Sequence, residues 1–309
     1  GEGGPRVIAT PGHFAYVKIA EGCANRCSFC LIPSLRGPAK SRPVEAIVRE
    51  AESLASSGAR ELIVIAQDTT AYGRDLYGRP SLARLLRELA GVEGIDWIRV
   101  MYTYPSLIDD ELIEVFAGED RIVKYLDIPM QHGSDNVLRM MNRRSSREQM
   151  IGVCRRLRER VPGLVIRTSL IVGFPGETDD DFEELLSFID IVRPERAGVF
   201  EFSAEEGTRA YDMPGQVPRE VATDRRGVAM EALARISHQF GQSRIGSVVR
   251  VLVDGPSDES DLVVEARSYA EAPEVDGKIY IGDAELTPGE MVDVVITDAG
   301  QYDLAAERA

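Results

Sequence analysis

Residues 15–30 read Ala15-Tyr16-Val17-Lys18-Ile19-Ala20-Glu21-Gly22-Cys23-Ala24-Asn25-Arg26-Cys27-Ser28-Phe29-Cys30. The apolar run Ala15–Ala20 predicts a strand. Immediately after it, C-x3-C-x2-C spacing puts three thiolates on one loop, enough to wrap a compact metal centre. Only one other cysteine exists, Cys154. A secreted disulfide framework uses an even, dispersed set, so three thiols within eight residues point to metal ligation in a reducing compartment. A tetrahedral zinc site asks for a fourth protein ligand, and neither Cys154 nor His13 is well placed by sequence to supply it. A 4Fe-4S cluster on three cysteines leaves one iron open to a substrate or cofactor.

Outward from this loop, short apolar runs alternate with helical periodicity. Strands are predicted at Leu62–Gln67, Trp97–Tyr104, Lys124–Met130, Val165–Val172 and Ala197–Ser203. Between them, Val44, Ile47, Val48, Ala51, Leu54 and Ala55 follow helical spacing, as do Leu82, Leu85, Leu86 and Leu89 behind Ser81 as N-cap. Thr178 followed by Asp179, Asp180 and Asp181 starts another helix, since anionic side chains favour the positive end of the dipole. Six βα repeats imply a parallel sheet, and six is too few for a closed eight-fold barrel, so the expected fold is α/β with an open or partial barrel. In such folds the chemistry gathers at the C-terminal strand ends. After the breaker Pro214-Gly215-Gln216-Val217-Pro218 and a helix over 219–242, the pattern changes to five short strands. These are Val248–Val253, Leu262–Ala266, Lys278–Ile281, Met291–Thr297 and Tyr302–Ala305, read as a small antiparallel β-barrel of OB-like kind. The expected division is a linker over 1–12, a core with its helical extension over 13–243, and the small barrel over 244–309.

The chain has 309 residues and a net charge of −15. Between Ser247 and Ala309 lie fifteen acidic and four basic residues, so −11 of that charge sits in the small barrel. Acidic surfaces repel phosphate backbones and attract basic partners, although such charge also serves plain solubility. The longest apolar runs fall far short of the ~20 residues of a membrane helix. No basic-then-apolar leader is visible, so the expected location is cytoplasmic.

The cysteine spacing, with aromatic Phe29 before Cys30, resembles the radical S-adenosylmethionine (SAM) superfamily. That resemblance implies a partial (β/α)6 barrel, a 4Fe-4S cluster on Cys23, Cys27 and Cys30, and SAM chelated by the open iron and cleaved to a 5′-deoxyadenosyl radical. No catalytic residue is assigned beyond the cluster. Further blocks narrow the match: Ile32-Pro33-Ser34-Leu35-Arg36-Gly37, Ala66-Gln67-Asp68-Thr69-Thr70, Asp127-Ile128-Pro129-Met130-Gln131-His132-Gly133-Ser134 and Ile171-Val172-Gly173-Phe174-Pro175-Gly176-Glu177-Thr178. Together these are similar to the methylthiotransferase branch, which carries a C-terminal TRAM domain where the acidic barrel lies. Phe29, Gln67, Asp68, Gln131, Ser134, Arg143, Gly173, Phe174 and Pro175 are the SAM-contact candidates. Plain structural readings stand beside them: Asp68 as a turn cap, Ser134 as an N-cap, Gly173 and Gly176 as turn formers, Arg143 and Arg144 as a solvated patch. His132 is read as near the site or in a structural hydrogen bond, Cys154 as a buried small apolar residue, and Met140 and Met141 as core filler.

The branch modifies tRNA adenosines or an aspartate β-carbon of small-subunit ribosomal protein twelve. Tyr125–His132 and Ala266–Gly277 resemble the group acting on the ribosomal protein, and an acidic barrel with few tyrosines suits a basic protein better than RNA. The expected partners are that protein and an electron donor, with neither membrane nor nucleic acid. The family's second 4Fe-4S cluster, on three cysteines of an N-terminal domain, has no counterpart in these residues. The expectation is therefore one cluster and SAM cleavage without completed methylthiolation. A tRNA adenosine methylthiotransferase and a non-catalytic zinc-binding module are the alternatives.

Overall fold

A computed structural model describes residues 11–258, 260, 262–283 and 285–309; most of the expected linker over 1–12 lies outside them. Six strands form one parallel sheet: β1 (Phe14–Lys18), β2 (Glu61–Ile65), β3 (Trp97–Val100), β4 (Ile122–Asp127), β5 (Val165–Val172) and β6 (Arg196–Glu201). Their spatial order equals their chain order, and β1 and β6 remain edges, so the barrel is partial as the α/β reading expects. Register runs from Phe14 opposite Glu61 through Glu61 opposite Trp97 to Arg167 opposite Arg196.

Alternation along the strands gives the sheet two different faces. Ala15, Val17, Leu62, Val64, Ile98 and Val100 point to the helices, whose stripes Val44–Leu54 and Leu82–Leu89 close the main core. Each fully buried leucine there, such as Leu85, contributes about 2–3 kcal/mol. Phe14, Ile63, Trp97, Val123, Tyr125 and Val165 point the other way and form a second cluster. The helix Asp179–Val192 starts after Thr178 as the sequence leads one to expect, and Thr178 caps it in a reciprocal capping box with Asp181. Ser81 occupies the N-cap of Leu82–Ala90, but its hydroxyl donates back to the Arg79 carbonyl at 3.0 Å instead of capping.

Five strands end earlier than their expected runs: β1 at Lys18, β2 at Ile65, β3 at Val100, β4 at Asp127 and β6 at Glu201. Beyond those points the chain leaves the sheet to build the mouth of the barrel. Tyr102 (φ +59°) and Gln131 (φ +73°) take left-handed backbone there, which no strand continues.

The long helix Arg219–Arg244 leads into a closed barrel of β7 (Val248–Pro256), β8 (Val264–Arg267), β9 (Ile279–Ile281), β10 (Met291–Ala299) and β11 (Leu304–Arg308), in ring order β8-β9-β11-β10-β7. Four pairings are antiparallel, and β9–β11 is parallel. A ring of five strands cannot alternate direction all the way round, so the expected antiparallel barrel needs this one exception. Val251, Val253, Ile279, Ile281, Val294 and Ile296 fill it.

The segment Arg267–Gly277 leaves β8 and covers the sheet face that the helices leave bare, with Ala270 and Ala272 packed on that second cluster. Here some of the acidic side chains of the small barrel are paired internally. Glu271 accepts from Arg196 and Arg244, both at 2.7 Å, Asp254 from Arg267 at 2.7 Å, and Glu61 from Arg99 and Arg267, both at 2.7 Å. Burial alone would raise the Glu271 pKa, but the two guanidinium groups hold it down to about 2. Asp254 and Glu271 thus face basic residues of this same chain, and only the remaining acids are available to a partner. Exposed acids of the small barrel include Glu285, Asp293, Asp298, Asp303 and Glu307.

Candidate active site

The cysteine loop begins at Gly22 (φ +79°), where a Cβ would lie 2.4 Å from the Pro38 carbonyl oxygen. Glycine is therefore required at the turn out of β1. The loop is then pinned from several sides. Cys23 N–H donates to the Gly37 carbonyl at 3.1 Å, Ser28 N–H to Met141 at 3.0 Å, Cys30 N–H to Cys27 at 3.2 Å, and Ala210 N–H to the Ser28 carbonyl at 2.8 Å. All three loop cysteines are free thiols, and all three line one cavity of about 370 Å³ at the C-terminal mouth of the sheet. Burial pushes the Cys23 and Cys30 thiols above their ordinary value, opposed by the Asn25 and Ile32 N–H groups respectively. Exchanging such protons for metal is the usual way a thiol site becomes charged.

Gln67, Asp68, Gln131, Phe29 and Arg143 line the same cavity. The Gln67 Oε1 is buried and has no hydrogen-bond partner among the described residues, an acceptor suited to a ligand N–H or O–H. Asp68 is also a turn cap: its Oδ1 accepts from Thr70 Oγ1 (2.6 Å) and Ala71 N–H (3.1 Å), its Oδ2 from Asn25 Nδ2 (2.7 Å). The Arg143 guanidinium lies 4.1 Å from the Tyr104 ring centroid, donates to the Pro129 carbonyl at 2.7 Å, and reaches Cys27 Sγ at 3.7 Å. N–H···S contacts of this kind, with the Asn25 N–H at 3.4 Å from Cys23 Sγ, are what clusters use to set their potential. Among the described residues, no three His, Cys, Asp or Glu side chains converge on a single ion. The candidate fourth zinc ligands are engaged elsewhere: His13 Nε2 lies 2.9 Å from Asp254 Oδ1, and Cys154 is buried in the helix Arg147–Arg160 with its thiol pushed up to about 12 by burial. The donor set therefore fits a cluster held by three thiols better than a closed zinc site.

Comparison with known proteins agrees. Residues 17–189 match the radical SAM superfamily and residues 245–308 the TRAM domain. The chain is 51% identical over 304 residues to the ribosomal protein uS12 methylthiotransferase RimO of Pelotomaculum thermopropionicum, covering 98% of this chain and 68% of that protein. It is 50% identical over 303 residues to the RimO of Trichlorobacter lovleyi, with the same two coverages. The chain belongs to the RimO family of radical SAM methylthiotransferases. Two solved structures share its fold. One is Escherichia coli coproporphyrinogen III oxidase, HemN, a radical SAM enzyme (TM-score 0.56, 16% identity, 94% of this chain and 68% of that one). The other is the methyltransferase TsrM of Kitasatospora setae with cobalamin and a 4Fe-4S cluster bound (TM-score 0.52, 19% identity, 64% and 40%). The cofactors of a RimO-family enzyme are a 4Fe-4S cluster and SAM, and the thiol-lined cavity has the donors for both.

Four SAM-contact candidates stand apart from the cavity. Ser134 is fully buried; its hydroxyl donates to Asp181 Oδ1 at 2.6 Å and accepts the Asn136 N–H, so it is the N-cap of the short helix Asp135–Met140. Gly173 (φ +74°) is needed because a Cβ would meet that of Ala222 at 2.5 Å. Phe174 is buried between the rings of Phe29 and Phe202, at 6.3 and 5.1 Å, and Pro175 is buried beside it. These residues brace the cavity wall from behind. His132 is equally structural: burial pushes its pKa down to about 3, and its Nδ1 accepts the Ser134 N–H at 3.0 Å. The ring proton therefore sits on Nε2, 3.7 Å from Glu177 Oε2. Met141 is core, as expected, while Arg144 is exposed. Asn25, Tyr102, Thr103 and Tyr104 line the cavity but escaped sequence reasoning. The available signal was positional, since Tyr102–Tyr104 follow the third strand, where a contribution to the mouth was due.

Proposed function

We propose that this chain is a radical SAM methylthiotransferase that modifies ribosomal protein uS12, with the β-carbon of an aspartate as acceptor. The observation that carries the reading is the convergence of three free thiols and the orphaned Gln67 acceptor on one cavity at the strand ends, in a chain about half identical to RimO proteins. Cys23, Cys27 and Cys30 would hold the cluster. Bound there, the cluster and SAM would supply one-electron chemistry able to reach an unactivated C–H bond, which is beyond any side-chain base. The protein's part is orientation and shelter. Gln67 accepts from a polar group of the bound nucleoside, Arg143 offers a fixed cation to a carboxylate, and Gln131 presents its left-handed backbone to the cavity. The edge-to-face cluster of Phe29, Phe174 and Phe202 keeps water from the wall.

The division into 13–243 and 244–309 belongs to this reading; the change from parallel sheet to closed barrel supports it. The exposed acids of the small barrel suit a basic ribosomal protein and a cytoplasmic site of action, with a separate electron donor. Among the described residues no helix is long and apolar enough to cross a membrane. Anaerobic reconstitution followed by an assay for 5′-deoxyadenosine, with uS12 and with tRNA, tests the proposal. Colourless, iron-free protein that forms no 5′-deoxyadenosine refutes it. Salt-sensitive binding to tRNA with none to uS12 moves the substrate to RNA.

A further inference from the structure

The loop between β8 and β9 does more than join two strands. Besides Glu271, two further carboxylates of this loop reach tyrosines of the parallel sheet. Glu274, held at φ +68°, accepts from Tyr16 Oη at 2.8 Å. Asp276 Oδ2 accepts from Tyr125 Oη at 2.6 Å and from the Ala272 N–H at 2.9 Å, and its Oδ1 lies 3.7 Å from Arg167 Nε. Arg167 donates onward to Asp127 Oδ1 at 2.8 Å. The other oxygen of Asp127 accepts the Tyr102 N–H at 2.9 Å, and its carbonyl accepts the Thr103 N–H at 3.0 Å and hydroxyl at 2.6 Å. Tyr102 and Thr103 are walls of the thiol-lined cavity. A series of polar contacts thus runs from the small barrel to the mouth of the large one, its hydrogen bonds joined through the 3.7 Å ion pair of Asp276 with Arg167. Tyr102 needs such restraint, because a non-glycine residue in left-handed backbone persists only where its surroundings over-determine it.

We infer that Asp276 is a positioning residue: itself fixed by the Tyr125 hydroxyl, it acts through Arg167 and Asp127 to hold the Tyr102–Thr103 wall in the shape that accepts SAM. This rests on the functional reading above, which places SAM in that cavity. On this account the small barrel completes the cofactor site from behind as well as offering a surface to a partner.

The test uses the full chain with its cluster reconstituted, and reads SAM dissociation constant, iron content and unfolding temperature together. Asp276→Ala weakens SAM about tenfold, or ~1.4 kcal/mol, and Tyr125→Phe about threefold, both with iron content at the wild-type level. Tyr269→Phe is the control. It removes one bond at the same interface, from Tyr269 Oη to the Gly163 carbonyl at 3.0 Å, and touches none of the relay. It leaves SAM affinity unchanged whatever it does to the unfolding temperature. If Asp276→Ala does not fold, Tyr125→Phe against Tyr269→Phe decides alone. Wild-type affinity in the relay variants, or equal weakening by Tyr269→Phe, overturns the inference while leaving the functional reading intact. Failure of the wild-type protein to bind SAM at all overturns both.

Discussion

Glu271→Gln gives the sharpest test of how the two barrels are held together. Glu271 is 1% exposed and accepts from Arg196 and Arg244, while its second oxygen takes the Ser268 N–H at 3.0 Å and hydroxyl at 2.6 Å. Its pKa falls from an ordinary 4.5 to about 2 in the folded chain. A depressed carboxylate contributes stability that is fully present above its unfolded pKa and is lost as pH falls through the folded one. The drop from 4.5 to 2 corresponds to about 3 kcal/mol at neutral pH. The amide variant leaves two buried guanidinium groups without an anion, a loss of about 3–5 kcal/mol by analogy with other broken buried pairs. Urea unfolding of the cluster-free chain at pH 7 therefore shows the variant about 3 kcal/mol less stable. By pH 3.5 the wild type has given up somewhat more than ~1 kcal/mol of this contribution, so the gap narrows. A variant within ~1 kcal/mol of wild type at pH 7, or one whose stability follows the same pH slope from 5 to 3.5, would refute the reasoning.

Replacing any one of Cys23, Cys27 or Cys30 with Ser abolishes most bound iron and the associated visible absorption, whereas Cys154→Ser leaves iron content alone; the iron content expected of the reconstituted 309-residue wild type is about four per chain. Eight irons per chain, or full loading of a loop-cysteine variant, contradicts the assignment. Gly22→Ala places a Cβ 2.4 Å from the Pro38 carbonyl at φ +79°, so it destabilises by about 2–4 kcal/mol and lowers iron loading, read by thermal unfolding and iron assay. An unchanged melting temperature shows that the turn relaxes freely.

Much of the site was legible because its key residues are close in sequence. The C-x3-C-x2-C loop needs only a strand before it and glycine at its root to bring three thiols together. Gln67 and Gln131 were placed at the cavity by the rule that parallel strands deliver function at their C-terminal ends, and Arg143 by its place after the helix that follows Gln131. Ser134, Gly173, Phe174 and Pro175 obey the same rule yet stand behind the wall. Competing local partners (Asp181 for the Ser134 hydroxyl, Ala222 against Gly173) claim them first.

The local features could be read from the sequence: six βα units, five short strands, the helix start at Thr178, the three-cysteine loop. Each is a short-range consequence of which face of an element is apolar, and sequence spacing reports that directly. What required the folded chain was pairing across long separations. Asp276 meets Tyr125 and Glu271 meets Arg196, because a closed barrel folds back onto the bare face of an open one. Those contacts turned part of an apparently free acidic surface into internal ion pairs. Charge counts along a sequence sum over all partners, whereas electrostatics acts between neighbours, and neighbours are set by the packing of the two barrels.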